Sequence, residues 1–202
     1  MAAIETKIPL FPLPMLLLPG ERRVLHIFEA RYIQLIQDLD HEFPVFGIPH
    51  FSENKTESEV IYGSLVKLVE VVKHYPEGES DIVIEAFDLF ELRSFEMKQS
   101  GKEYPGGLVR ILKDYKSWEM SSKVIEHFRE LVRQTDESED FNPEEIGLFD
   151  ILLSLGVNDN ERVKFLNLNS RKVQEAKLIA QLKFTSLVRA QEKKKEYSFY
   201  MN

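Results

Sequence analysis

The 202-residue chain holds 43% hydrophobic and 30% charged residues, carries a formal charge of −8 and has no cysteine. This balance is too apolar for a disordered chain and too charged for a membrane bundle. The missing cysteines exclude disulfides, thiolate zinc sites, iron–sulfur clusters and a cysteine nucleophile, and the net charge offers no global basic field to nucleic acid or anionic lipid. Together they predict a soluble cytoplasmic protein.

The most apolar stretch, Ile8 to Pro19, is uncharged but spans only 12 residues. A membrane helix needs about 20, and Pro9, Pro12, Pro14 and Pro19 would break one. Glu5 stands beside a single Lys7 where a signal peptide would carry its basic leader. Short extended pieces packed on a core are expected instead. Next, Phe28, Tyr32, Leu35, Ile36 and Leu39 fall on one helical stripe, and Pro44 stops any continuation.

Strands follow. Val60 to Val72 and Ile82 to Leu92 are rich in Val, Ile, Leu and Phe, with Tyr75-Pro76-Glu77-Gly78 as the hairpin between them. Neither run alternates cleanly, so both faces are expected to be covered, with Gly63 as a candidate bulge. Tyr104-Pro105-Gly106-Gly107 reads as a second turn, followed by a strand at Leu108 to Leu112.

After Trp118 the period becomes helical: Met120, Val124, Phe128, Leu131 and Val132 share a face. Asn142-Pro143-Glu144-Glu145 has the chemistry of a helix start ahead of Ile146 to Leu155, a helix apolar on nearly every side and expected to be buried, and Gly156 is a natural stop. Asn158-Asp159-Asn160-Glu161 opens a shorter helix. Asn169-Ser170 caps a long one carrying Val173, Ala176, Ala180, Phe184 and Leu187. The predicted class is therefore α+β: a β-rich part over residues 1–115 and a helical part over 116–202.

Charge is unevenly spread, at −7 over residues 1–115, −8 over 116–161 and +7 over 162–202. The last helix is a basic rod ending in Lys193-Lys194-Lys195. The simpler reading is a solvated face with cations near a helix C-terminus; the other is docking to an acidic partner, or to the Asp136–Asp140 region of another copy.

Catalytic constellations are missing from the sequence. Gly101-Lys102 has Glu96 where a phosphate loop needs its first Gly, and Ser154 in Leu-Leu-Ser-Leu-Gly lacks the first Gly of a nucleophile elbow. Histidines 26, 41, 50, 74 and 127 show no metal-ligand spacing. No cofactor or metal is expected.

The informative text is Ile8-Pro9-Leu10-Phe11-Pro12-Leu13, then Leu18-Pro19-Gly20-Glu21, then Leu25-His26-Ile27-Phe28-Glu29-Ala30-Arg31-Tyr32. It resembles the N-terminal, substrate-binding domain of the ATP-dependent Lon proteases, as do Phe46-Gly47-Ile48, Tyr62-Gly63-Ser64-Leu65 and Ile82-Val83-Ile84-Glu85. Ala86-Phe87-Asp88 departs from the family's pattern, which often has a glycine turn there. The resemblance covers essentially the whole chain as one stand-alone copy of that domain. It implies a PUA-like, partly closed β-barrel with one helix, followed by a helical bundle. It further implies a non-catalytic module that holds unfolded or extended polypeptide segments, alone or as an adaptor to a protease or chaperone in trans. The ATPase and Ser–Lys protease modules of Lon have no counterpart in these 202 residues.

Within the signature, Pro9 and Pro12 are expected to fix an extended segment, and Phe28 and Tyr32 to enter the core. Glu29 and Arg31 are expected to clamp a loop by hydrogen bonding rather than to touch a ligand. His26 is either a packed histidine or a proton-binding group. The candidate polypeptide-binding residues are Phe11, Leu13, Met15 and Leu16, because prolines leave strand edges unpaired and the stretch holds more apolar side chains than one short strand buries. The competing reading puts them in the core. RNA binding, known among PUA-like barrels, ranks second because the acidic front half lacks clustered cations; an enzyme ranks third for want of a nucleophile, base or metal set. The sequence leaves the oligomeric state open.

Overall fold

The computed structural model describes residues 5–39, 44–51, 60–115, 118–134, 146–168 and 170–200, and of residues 114 and 194–200 the backbone alone. Two compact units emerge, Met1–Lys113 and Asp114–Asn202.

In the first unit, β-branched and aromatic runs form six strands: β1 (Glu5–Pro9), β2 (Arg22–Ile27), β3 (Val45–Pro49), β4 (Tyr62–His74), β5 (Ser80–Glu96) and β6 (Gly106–Ile111). One helix, α1 (Ala30–Asp38), lies between β2 and β3. Among the described residues all strand pairings are antiparallel, in the order β1-β6-β5-β4-β3, with β2 paired to β5 alone. The length of β5 makes this possible. β4 runs along one edge of β5, while β2 takes Ser80–Glu85 and β6 takes Phe90–Glu96 on the other. The sheet stays open: an isolated bridge, Leu10 to Gly47, and the Phe11 N–H bond to the Gly47 carbonyl (2.8 Å) join the segment after β1 to β3.

The β4–β5 turn is the expected one. Gly78 has φ +86°, open to glycine without strain, and its N–H donates to the Tyr75 carbonyl at 3.1 Å. Gly63 is not a bulge; the irregularities fall at Leu65/Val66, Leu68/Glu70 and Val71/Lys73. Glycine is needed there for a different reason. A Cβ on Gly63 would lie 2.3 Å from Cζ of the fully buried Phe90 and 2.6 Å from the Ile48 carbonyl oxygen. Gly106 and Gly107 begin β6 instead of making a turn, and Ala86-Phe87-Asp88 lies inside β5.

Two apolar clusters fill this unit. The larger gathers Phe11, Leu17, Ile27, Tyr32, Leu35, Phe46, Ile48, Val66, Ile82 and Ile84, and the smaller centres on Leu10, Phe90 and Val109. The stripe of α1 delivers Tyr32 and Leu35, but Phe28 is a correction. The helix starts at Ala30, so Phe28 lies ahead of it and is 60% exposed. The alternation of β2 runs on through Ile27, which points inward, and leaves Phe28 on the outer side with His26.

The second unit is helical: α2 (Ser122–Val132), α3 (Leu148–Ser154), α4 (Asp159–Leu166) and α5 (Arg171–Tyr200). Ser121 caps α2, accepting from the Val124 N–H, and Asn158 caps α4 in a reciprocal pair with Glu161. The start expected at Asn142-Pro143-Glu144-Glu145 lies outside the described residues, as do His41, Asn169 and the Asp136–Asp140 region. α3 begins later, after Gly147, whose N–H donates to Asp150 at 2.8 Å. It buries Leu148, Ile151 and Leu152 while Asp150 and Ser154 face solvent, so burial is one-sided. α5 packs on α2, and its buried face carries Gln174, Leu178 and Leu182. The Gln174 amide is satisfied, donating to the Phe165 carbonyl (3.1 Å) and the Tyr115 hydroxyl (3.0 Å). The apolar series Val173, Ala176, Ala180, Phe184 and Leu187 faces outward.

Candidate functional site

The N-terminal candidates divide. Phe11 and Leu16 are buried and present no surface; this corrects the expectation of an exposed stretch. The reason is packing, since the Phe11 ring stacks on Tyr32 with centroids 3.9 Å apart and also meets Phe46. Leu13 and Met15 pack against the same cluster but stay partly exposed. The two halves of the sequence signature thus meet in one core contact. Arg31 lies over the Tyr32 ring at 4.7 Å and donates twice to one Glu29 oxygen, at 2.9 and 2.7 Å, forming the clamp at the head of α1. A hollow of about 670 Å³ adjoins it, lined by Glu29, Ala30, Arg31, Gln34 and Glu103.

The exposed apolar surface of this unit lies instead along β2. Pairing places Val24 opposite Val83, and His26 opposite Asp81, on the outer face. Val24 is 67% exposed, Phe28 stacks on the His26 ring at 5.9 Å, and Tyr75 meets that ring edge-on at 5.5 Å. The cluster is held electrostatically. His26 Nδ1 lies 2.7 Å from Asp81 and its Nε2 lies 3.4 Å from Glu79, while the Tyr75 hydroxyl donates to Asp81 at 2.8 Å. The His26 and Tyr75 hydrogen bonds hold the Asp81 carboxyl below its ordinary range. Four residues along, Glu85 joins β4 to β2 through Lys67 (2.8 Å) and Arg22 (2.7 Å), and these partners lower its pKa too.

β2 pairs with β5 on one side only, and among the described residues no backbone bond reaches its other edge. A row of main-chain donors and acceptors, beside Val24 and Phe28, can accept an extended chain. Sequence reasoning missed Val24 and Phe28 as surface residues. The signal was present in Arg22–Ile27, where Leu25 and Ile27 alternate with Val24 and His26. No group of three or more His, Asp or Glu among the described residues could hold a metal.

A family model described as the ATP-dependent protease La (LON) substrate-binding domain matches residues 7–196. The chain belongs to this family. The family is described as a substrate-binding domain. Among solved structures, a Lon N-terminal domain protein from Xanthomonas campestris superposes with a TM-score of 0.61 at 18% identity, covering 87% of this chain and 98% of that one. The N-terminal domain of a Mycobacterium avium complex Lon protease gives a TM-score of 0.55 at 12% identity, covering 88% and 98%. At these identities the likeness is one of fold. No curated protein matches the sequence.

Proposed function

We propose that the chain is a non-catalytic module that captures extended polypeptide segments at the free edge of β2, with Phe28 and Val24 supplying apolar contact. The observation that carries the reading is Phe28, a large aromatic left in solvent at the end of a strand edge that is unpaired among the described residues. Edge pairing gives affinity indifferent to sequence, and an exposed aromatic adds preference for apolar side chains. Membership of a substrate-binding family supports the same reading. Leu13 and Met15 retain some apolar surface and form a second contact to test. Service as an adaptor that hands the captured segment to a protease or chaperone in trans is part of the same proposal.

The test is an anisotropy titration with a fluorescently labelled, reduced and carboxymethylated polypeptide that cannot fold. Phe28→Asp should weaken binding about tenfold or more while changing stability by no more than about 0.5 kcal/mol. Unchanged affinity in a folded Phe28→Asp protein would overturn the β2 site.

A further inference from the structure

On the second unit, independent of the β2 reading, α5 presents an exposed apolar stripe. At 100° per residue, Val173, Ala176, Ala180, Phe184 and Leu187 lie within one narrow stripe, and all five are exposed, Phe184 by 69% and Leu187 by 64%. The stripe extends about 21 Å, four helical turns. Lysines border it on both sides, Lys177 on one and Lys172 and Lys183 on the other, whereas Glu175 and Glu192 lie on the opposite half of the helix, among Arg171, Arg189 and Lys193. The borders of the stripe thus carry cations alone, in a chain whose total charge is −8.

Beside the stripe lies a groove of about 410 Å³, with Leu155, Val157 and Glu161 on one wall and Lys177, Ala180 and Phe184 on the other. We infer that this face docks an acidic amphipathic helix of a partner protein, its apolar residues in the groove and its carboxylates over the flanking lysines. Three observations select this occupant. Ala180 lines the groove and Ala176 lies one turn before it on the stripe, so small side chains let a second helix approach closely, and the α3–α4 side raises a wall that a flat lipid surface could not follow. Two copies of this face would set lysines against lysines. The charges on both borders call for a partner with carboxylates on both flanks of its own stripe.

The probe is a fluorescein-labelled helical peptide of roughly 21 residues, with Leu at heptad a and d positions and Glu at e and g, set against a matched peptide with Lys at e and g. With the full chain at about 50 mM salt, the acidic peptide should bind about tenfold or more tighter than the basic one, and its affinity should fall as salt is raised. Phe184→Asp should abolish that preference. Lys177→Glu with Lys183→Glu should reverse it, with the helical circular dichroism unchanged. Ala180→Arg blocks the trough by bulk and serves if Phe184→Asp fails to fold. Equal binding of the two peptides, no binding, or binding that survives both Phe184→Asp and Ala180→Arg would overturn the inference. So would partition onto phosphatidylserine vesicles in place of peptide binding, or a dimer that Phe184→Asp dissolves.

Discussion

Phe28 and Gly63 show how much a single position depends on its neighbours. Phe28 leaves the core because α1 begins two residues after it, and the proposed binding role rests on that displacement. Gly63 is fixed by the ring of Phe90, which is fully buried and cannot move aside. Gly63→Ala should therefore destabilise the protein by about 1–3 kcal/mol, the range for overpacked cores, read from the urea midpoint at unchanged slope. Asp81 makes a pH prediction. Its carboxyl is held below the ordinary 3.8 by His26 and Tyr75, so its stabilising contribution is present above that value and is lost as pH falls through the lowered one. On acidification from about pH 5 to pH 3 the melting temperature of Asp81→Asn should fall less steeply than that of the parent chain. Parallel curves would assign the acid sensitivity to other carboxylates, Glu85 among them.

Caps and pairing decide which elements form and where they end. The reciprocal pair of Asn158 and Glu161 at the start of α4 was legible in the sequence and is present, at 3.1 and 3.3 Å. Asn158→Ala should lower stability by about 1 kcal/mol, measured by thermal or urea unfolding. The β4–β5 hairpin was legible for the same reason, because Gly78 and Pro76 carry turn geometry in their own chemistry. Partner-dependent features were not. Gly106 and Gly107 look like a turn until Ser94, whose carbonyl oxygen would sit 2.3 Å from a Cβ on Gly107, is brought beside them by β5. The burial of Phe11 depends on α1 and β3 closing over it, which no local pattern encodes. The outward turn of the α5 stripe is likewise invisible to periodicity. Periodicity finds an apolar face but not which way it points; here the buried side holds Gln174, Leu178 and Leu182.

At the scale of the molecule, an open antiparallel sheet carries a strand with one edge unpaired among the described residues, and a helical unit carries an apolar stripe bordered by lysines. The fold is shared with solved Lon N-terminal domains at 12–18% identity. None of the described helices is long and apolar enough to cross a membrane. Capture of extended polypeptide at β2 is the central claim, and hydrogen exchange tests it most directly. Amide exchange is followed by mass spectrometry in the full chain, free and saturated with the carboxymethylated polypeptide. Slowed exchange at alternate amides of Arg22–Ile27 is the predicted result, because an added strand bonds every second residue of the edge. Binding with no added protection in Arg22–Ile27 would contradict it.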